Sequence, residues 1–590
     1  MEDQNKKNQN DGKNKKRLII VIGGVVMLVI IIVVLAILLS KCGGDKNDTI
    51  GLATGEPATS NSETGKINET PDTTSDVTPD TTSEATPCAT SETTPDATTV
   101  ATTEPTPVAT SKPAHVHTFG DWTVLAEPAC LTAGERQRVC SSCGEIQTEE
   151  LPPLGHDGHN NECIRCGKKA VVEDFKLMAD KKDPDAYMVN KCYSADEDVL
   201  IPDVYNGKPV VRVQYESFSN NEAVKYVSVP DSVGVVESWA LAYMPNLEMV
   251  RIGKNVYDLD CTFRFWTDNL HWLYVEPGNE RYHSYCNCII ETATKRLISG
   301  CGGSVLPDDG SVTVIASSSM ANVRNLTKLD IPGTITTIEH YSMNDCYGLL
   351  SLELPDSVTE IGEYAFYEGR SLKTVRLPAG LTKIGLGWFQ GCSSLEEIVI
   401  PENVKETEAE CFEFCKSLKK VTLPEGLERL GNYTFKDCTS LEEITLPQSL
   451  TNIGDAFAGC TSLKKLVIPD SVVKLGVSVI SYCASLTELV LPKELKYIPY
   501  HFFGNCYSLE KIVLPEKVTQ IEYNAFMHCT SLKSVVFPKS LHIIEYDIFV
   551  DCPSLETIYY TGSEEDWSNI IINHSNEILE NTTIVYNYKG

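Results

Sequence analysis

The chain has 590 residues, a formal net charge of −31 and 22 cysteines. That length exceeds one compact core. The acidity excludes a nucleic-acid binder, which needs a basic stripe to displace counterions.

Residues 1–17 are a basic tail containing Lys6, Lys7, Lys13, Lys15, Lys16 and Arg17. Leu18 to Leu39 follows as an uncharged apolar run, LIIVIGGVVMLVIIIVVLAILL. At about 1.5 Å per residue it is roughly 33 Å long as a helix, enough to cross a bilayer's hydrocarbon core. The positive-inside rule keeps the tail cytoplasmic and puts everything after Ser40 outside. The run is longer than a signal-peptide core and has no A-x-A ending. The expectation is a single-pass cell-membrane protein with an extracellular bulk. Residues 40–114 then collapse to Thr, Ser, Pro, Ala, Glu and Asp, as in TPDTTSEATPCATSETTPDATT. Such a stretch buries too little apolar surface to fold. It is expected to be a disordered stalk, at most about 230 Å long over roughly 70 residues.

Residues 115–167 form a small cysteine and histidine module. Cys140-Ser-Ser-Cys143-Gly and Cys163-Ile-Arg-Cys166-Gly are two knuckles separated by 19 residues. Each offers two thiolates, and the glycine permits the tight turn, which is zinc-ribbon spacing. The first expected metal set is therefore Cys140, Cys143, Cys163 and Cys166. A second set, His117, Cys130, Cys140 and Cys143, competes with it, and His156 opens a truncated copy of the same pattern. Structural zinc is the leading cofactor expectation. Disulfides are the alternative, because the compartment is extracytoplasmic.

From 172 to 560 one sentence repeats. Prolines mark it at 332, 355, 378, 401, 424, 447, 469, 492, 515 and 538; eight of the nine steps are 23 residues and one is 22. Six residues before each stands a leucine, as at Leu372, Leu395 and Leu418. The stretch up to the proline alternates with period two and reads as a strand, which the proline ends because it cannot donate the next ladder bond. Bulky residues follow at Phe366, Phe389, Phe412, Phe435, Phe457, Phe503, Phe526 and Phe549. A column of cysteines runs through Cys346, Cys392, Cys415, Cys438, Cys460, Cys483, Cys506, Cys529 and Cys552. No single repeat buries these residues alone, so the expectation is a stacked solenoid with one shared core. The cysteines read as reduced thiols filling a tight corner, with disulfides between neighbouring turns as the competing reading.

The pattern LxxVxLPxSVTxIGxxAFxxCxS resembles BspA-type leucine-rich repeats of microbial surface proteins. SLELPDSVTEIGEYAF fits almost letter for letter. Departures are Thr407 in the isoleucine slot, Gly369 in the cysteine slot and Val479-Ile480 in place of Ala-Phe. About 274–310 the period is interrupted by an expected hairpin, CNCIIETATKRLIS. The resemblance implies a right-handed leucine-rich-repeat solenoid with an adhesive or partner-binding role, and it carries no catalytic residues over.

Two outward ladders stand out. Charges alternate in sign from repeat to repeat, through Lys373, Glu396-Glu397, Lys419-Lys420, Glu442-Glu443 and Lys464-Lys465, which sets register if they are cross-strand neighbours. Tyr500, Tyr523 and Tyr546 form an aromatic column, read either as mutual packing or as a contact surface. Residues 561–590 break the repeat. Ser563 is placed to cap a short helix and TTIVYNY to form a last strand, together a cap on the stack. With no nucleophile–base or paired-acid constellation, the function expected is binding, not catalysis. The expected partner is a protein or glycan on a host, a neighbouring cell or the matrix. A structural envelope scaffold is the alternative.

Overall fold

The computed structural model describes residues 117–260, 262–263 and 265–590. The basic tail, the apolar run at 18–39 and the stalk lie outside them. Among the described residues no helix is long and apolar enough to cross a membrane.

The regular coils build up to two short strands each, and these pair in parallel with counterparts about 23 residues on, in a succession of short sheets and not one unbroken ribbon. Ser351–Glu353 pairs with Thr374–Arg376, and Glu397–Val399 with Lys420–Thr422. This is the strand that the alternation before the proline predicts. The proline carbonyl then accepts the N–H three residues on, as from Val358 to Pro355 and from Val404 to Pro401. That turn redirects the chain into a second strand of only two residues, such as Lys383–Ile384 beside Glu406–Thr407. Two parallel ladders therefore run along the stack.

After the second strand comes the corner holding the bulky column. Here two residues per coil adopt the left-handed conformation, two before and two after the central residue. They are Tyr364 and Glu368 around Phe366, Glu410 and Phe414 around Phe412, and Asn524 and His528 around Phe526. For residues other than glycine this costs about 1–2 kcal/mol each. The return is that alternate N–H groups all point to the next coil. Tyr364, Phe366 and Glu368 donate to the carbonyls of Leu386, Trp388 and Gln390. The corner is knitted by main-chain bonds without being a sheet.

The core is continuous across coils. Phe389, Phe412 and Phe435 are fully buried and stack with centroids 5.7 and 5.6 Å apart. The cysteine column is buried beside them as free thiols. Each thiol donates to a carbonyl of the coil before it: Cys415 Sγ to Phe389 at 3.3 Å, Cys438 to Phe412 at 3.2 Å, Cys460 to Phe435 at 3.1 Å. Burial holds Cys392 and Cys506 up at about 12, which suppresses the reactive thiolate. Thr407, an apparent misfit, is compensated by the next coil. Its hydroxyl lies 3.0 Å from that of Thr434 and accepts from the Gly431 N–H at 3.0 Å.

The interruption near 274–310 is a three-stranded antiparallel excursion, Tyr282–Tyr285, Cys288–Glu291 and Arg296–Ser299. Its last strand pairs in parallel with Val314–Ile315 and so rejoins the second ladder. At the far end Glu564–Ser568 is a helix capped by Ser563, whose own main-chain N–H donates in return to the Asp566 carboxylate. Ile570 is buried, Trp567 packs on the core, and Thr583–Val585 extends the first ladder. Bonds from the Ser563 main chain and hydroxyl, with Lys539 beside it, hold the Asp566 carboxyl down at about 2. A depressed carboxyl stabilises above its unfolded value and loses that contribution as pH falls through the folded one. The cap is thus expected to persist to about pH 2, and a carboxyl NMR titration of Asp566 reads it directly. Ser563→Ala is expected to move that midpoint up toward the ordinary carboxylate range.

Candidate binding face and metal-ligand cluster

Gly134–Val139 pairs antiparallel with Thr123–Ala126 and Ile146–Leu151, making a small sheet. The first knuckle leaves the end of its central strand. In both knuckles the glycine is left-handed, and its N–H returns to the first cysteine's carbonyl, Gly144 to Cys140 and Gly167 to Cys163. The glycine role inferred from spacing is what the turn uses.

The partners of the knuckles differ from both expected sets. Cys163 and Cys166 meet Cys130 and His156, all four donor atoms within 4.8 Å of one another. Cys140 and Cys143 meet His117 in a second group. The two knuckles are not brought onto one centre, and Cys130 does not join His117. The reason lies in the main chain. Leu154 and Gly155 donate to the carbonyls of Ala129 and Cys130, and this pairing carries Cys130 away from the first knuckle to lie beside His156. The signal for His156 was present in the sequence: His156 precedes the second knuckle as His117 precedes the first.

In the first-named cluster Cys130 and Cys163 Sγ are 3.9 Å apart, and Cys166 Sγ is 3.2 Å from His156 Nδ1. Burial, then the thiols of Cys166 and Cys163, push Cys130 up to about 12. For Cys163 burial also opposes ionisation, but N–H groups of Arg165, Cys166 and Asp157 and the His156 ring outweigh it and bring the thiol down to about 6. In the second cluster His117 Nδ1 lies 3.4 Å from Cys143 Sγ and 3.2 Å from a Glu145 carboxylate oxygen.

On the solenoid the charge ladder does join neighbouring coils. Glu442 meets Lys464 at 2.6 Å, Lys465 meets Glu488 at 2.6 Å, and Glu510 meets Lys533 at 2.9 Å. All are exposed, so each contributes only about 0–1 kcal/mol. Tyr500, Tyr523 and Tyr546 stack with centroids 4.3 and 5.1 Å apart, and the stack runs on to His574. Tyr523 and Tyr546 remain 37 % and 38 % exposed. The column is thus both self-packed and accessible.

Further stacks were missed by the sequence reading. Tyr215, Trp239 and Phe265 stack at 6.0 and 5.8 Å, Tyr243 on Trp266 at 5.7 Å, and Tyr341 on Tyr364 at 5.2 Å. All lie within three residues of the bulky column, so alignment on that column finds them. Beside Tyr341 and Tyr364, a groove of about 670 Å³ is lined by Glu339, His340, Glu363, Lys383, Trp388 and Glu408. Trp388 replaces the usual alanine. Its indole is accommodated by Gly385, where a Cβ would come within 2.3 Å of Nε1.

No curated protein sequence matches the chain. Among solved structures, a leucine-rich repeat protein from Bacteroides ovatus is 22 % identical with a TM-score of 0.44, over 70 % of this chain and 99 % of that one. A leucine rich cell surface protein from Faecalibacterium prausnitzii is 22 % identical with a TM-score of 0.36, over 68 % and 96 %. The pneumococcal vaccine antigen PcpA is 16 % identical with a TM-score of 0.36, over 70 % and 97 %. The family described as BspA type leucine rich repeat region matches residues 198–292, 313–442, 359–483 and 454–578. Those segments cover more than half of the sequence and coincide with the doubly laddered coils, so the chain belongs to the BspA-type leucine-rich repeat family.

Proposed function

We propose that this protein is a membrane-anchored, extracellular binding protein that displays its solenoid on a stalk and recognises a protein or glycan partner by contact along the stack. The observation that carries the reading is the recurrence of partly exposed, stacked aromatic rings at one corner of the coils, in three separate groups, Tyr215–Phe265, Tyr341–Tyr364 and Tyr500–Tyr546. Aromatic faces offer large contact area at low entropic cost and suit sugar rings or apolar side chains. The carboxylates of the adjoining groove supply hydrogen-bond acceptors. Anchoring rests on the apolar run at 18–39 and its basic flank. The scaffold alternative draws on the charge ladder, whose members already satisfy one another.

Screening the detergent-solubilised full chain on glycan and protein arrays tests the proposal. A Tyr500→Ser, Tyr523→Ser, Tyr546→Ser variant is expected to lose roughly 30-fold in affinity for any hit, the ~2 kcal/mol of an aromatic hot spot. Arrays without a hit favour the scaffold. A hit that the variant retains moves the binding face away from this column.

A further inference from the structure

We propose that Cys130, His156, Cys163 and Cys166 bind one tetrahedral zinc ion, and that the ion clasps the cysteine and histidine module onto the first coils of the solenoid. The inference is independent of what the solenoid binds.

With Zn–S near 2.3 Å, two thiolates on a tetrahedral ion lie roughly 3.8 Å apart. The Cys130–Cys163 separation is 3.9 Å, close to that and far from the ~2.05 Å of a disulfide. Three sulfurs also cannot pair among themselves without leaving one over, whereas three thiolates and one imidazole complete a structural zinc site. Each thiol gives up its proton to solvent on binding.

The histidine is set for this task by the solenoid. His156 is buried, and its Nε2 lies 2.8 Å from Asp198 Oδ2. A carboxylate there requires Nε2 to carry the proton, which leaves the Nδ1 lone pair facing the sulfurs. That is the carboxylate–histidine–metal arrangement by which an outer partner orients a ligand. Asp198 opens Asp198–Leu200, a strand of the solenoid's first ladder that pairs in parallel with Tyr226–Ser228. The metal ligand and its orienting carboxylate therefore belong to different parts of the chain.

The neighbouring contacts make the same junction. The His156 N–H donates to Ser228 Oγ at 2.8 Å. The main-chain N–H groups of Asn160 and Asn161 donate to the Asp203 carboxylate at 2.9 and 2.6 Å. Asn161 Oδ1 accepts from the N–H groups of Asp203 and Val204. Leu200 packs directly on Cys130 and Cys163. A solenoid's first coil has no preceding coil to pair with and needs a cover. The leading edge of the second ladder is taken by Phe175–Ala179, antiparallel to Tyr187–Cys192, while the second half of the module covers the outward face of the first ladder through Ser228, Arg251 and Glu276, and the ion fixes its fold.

The test uses the full chain purified in detergent from zinc-supplemented cells, with metal content measured by plasma mass spectrometry. Wild type is expected to hold zinc, and Cys163→Ser, Cys166→Ser to hold one equivalent less. Cobalt exchange is expected to give thiolate-to-cobalt absorption that falls in the same variant. Asp198→Asn removes no ligand and is expected to keep the equivalent but to release it to a chelator at 10- to 100-fold lower chelator strength. Chelation of wild type is expected to open residues 155–171 to protease. Wild type without zinc overturns the site, as do Cys130, Cys163 or Cys166 recovered in disulfides. Unchanged metal content in the double variant does the same. Unchanged release from Asp198→Asn, or unchanged proteolysis on chelation, overturns the clasp. The wild-type measurement requires no substitution, so a misfolded variant does not decide the outcome.

Discussion

Phe412→Ala is expected to destabilise the solenoid by about 3–5 kcal/mol, the range for truncating a fully buried aromatic. Phe412 has no exposed surface and is sandwiched between Phe389 and Phe435, each less than 6 Å away. Its truncation opens a void that two coils share. Neither coil can move in to close it, because the main chain around Phe412 is pinned on both sides. The Phe389 N–H donates forward to the Cys411 carbonyl beside Phe412, the Phe412 N–H donates forward to the Thr434 carbonyl, and the Phe412 carbonyl accepts the Cys438 thiol. Because stability in a stack is nearly a sum of coil and nearest-neighbour terms, the loss should be local. Hydrogen exchange is expected to accelerate in the coils spanning about 389–438 while the ends keep their protection. A fall in urea midpoint worth under 1 kcal/mol would mean that the coils do slide together, and that the corner bonds are weaker than their geometry implies.

The parts of this fold legible in sequence are those that recur with a large side chain at a fixed place. Leu418, Phe412 and Cys415 each announce a column, because burying each depends on the same residue in the next coil. The second ladder showed in the sequence only as an isoleucine column, with Thr407 as its misfit, and not as strands. Its strands are two residues long, too short for a period of two to register. The left-handed corner was equally hidden, since Tyr364, Glu410 and Phe414 are poor guides to positive φ. Main-chain bonding to the next coil overrides their local preference. Thr407 looked like an error until Thr434, one coil on, was seen to share its hydrogen bond. The candidate metal ligands follow the same logic. Spacing identified the knuckles, but the pairing of Cys130 with His156 depends on main-chain contacts between segments 25 residues apart, which spacing does not record. The membrane span and the stalk rest on composition alone.

Arg251→Ala is expected to cost about 3–5 kcal/mol, the penalty for breaking a buried ion pair by removing one partner. Arg251 is a fully buried cation, and it sits where module and solenoid meet. Its Nη2 lies 3.0 Å from Glu276, 3.2 Å from Asp157 and 3.7 Å from Asp231, and its Nη1 donates to the Val229 carbonyl at 2.9 Å. Gly155 rests on its aliphatic stem, where any Cβ would come within 2.5 Å. Removing the guanidinium leaves three carboxylates facing one another, with Arg165 still 2.6 Å from Glu276 and 3.7 Å from Asp157, and Lys254 still on Asp231. Asp157 belongs to the module and Glu276 to the solenoid, so their repulsion acts to push the two apart. Hydrogen exchange in residues 155–168 is therefore expected to rise first, before the solenoid melts. A second change separates lost attraction from new repulsion. Replacing Asp157 with Asn in the Arg251→Ala background removes one of the three carboxylate charges, which Arg165 meets only at 3.7 Å, and is expected to recover part of the loss. The same Asn substitution in wild type weakens a good pair and is expected to destabilise, giving opposite signs in the two backgrounds. The same sign in both would show that water has already entered the junction and solvated the carboxylates. In that case the arginine is a surface residue in energetic terms, and the proposed zinc clasp and the Asn161–Asp203 bonds would have to hold the module in place.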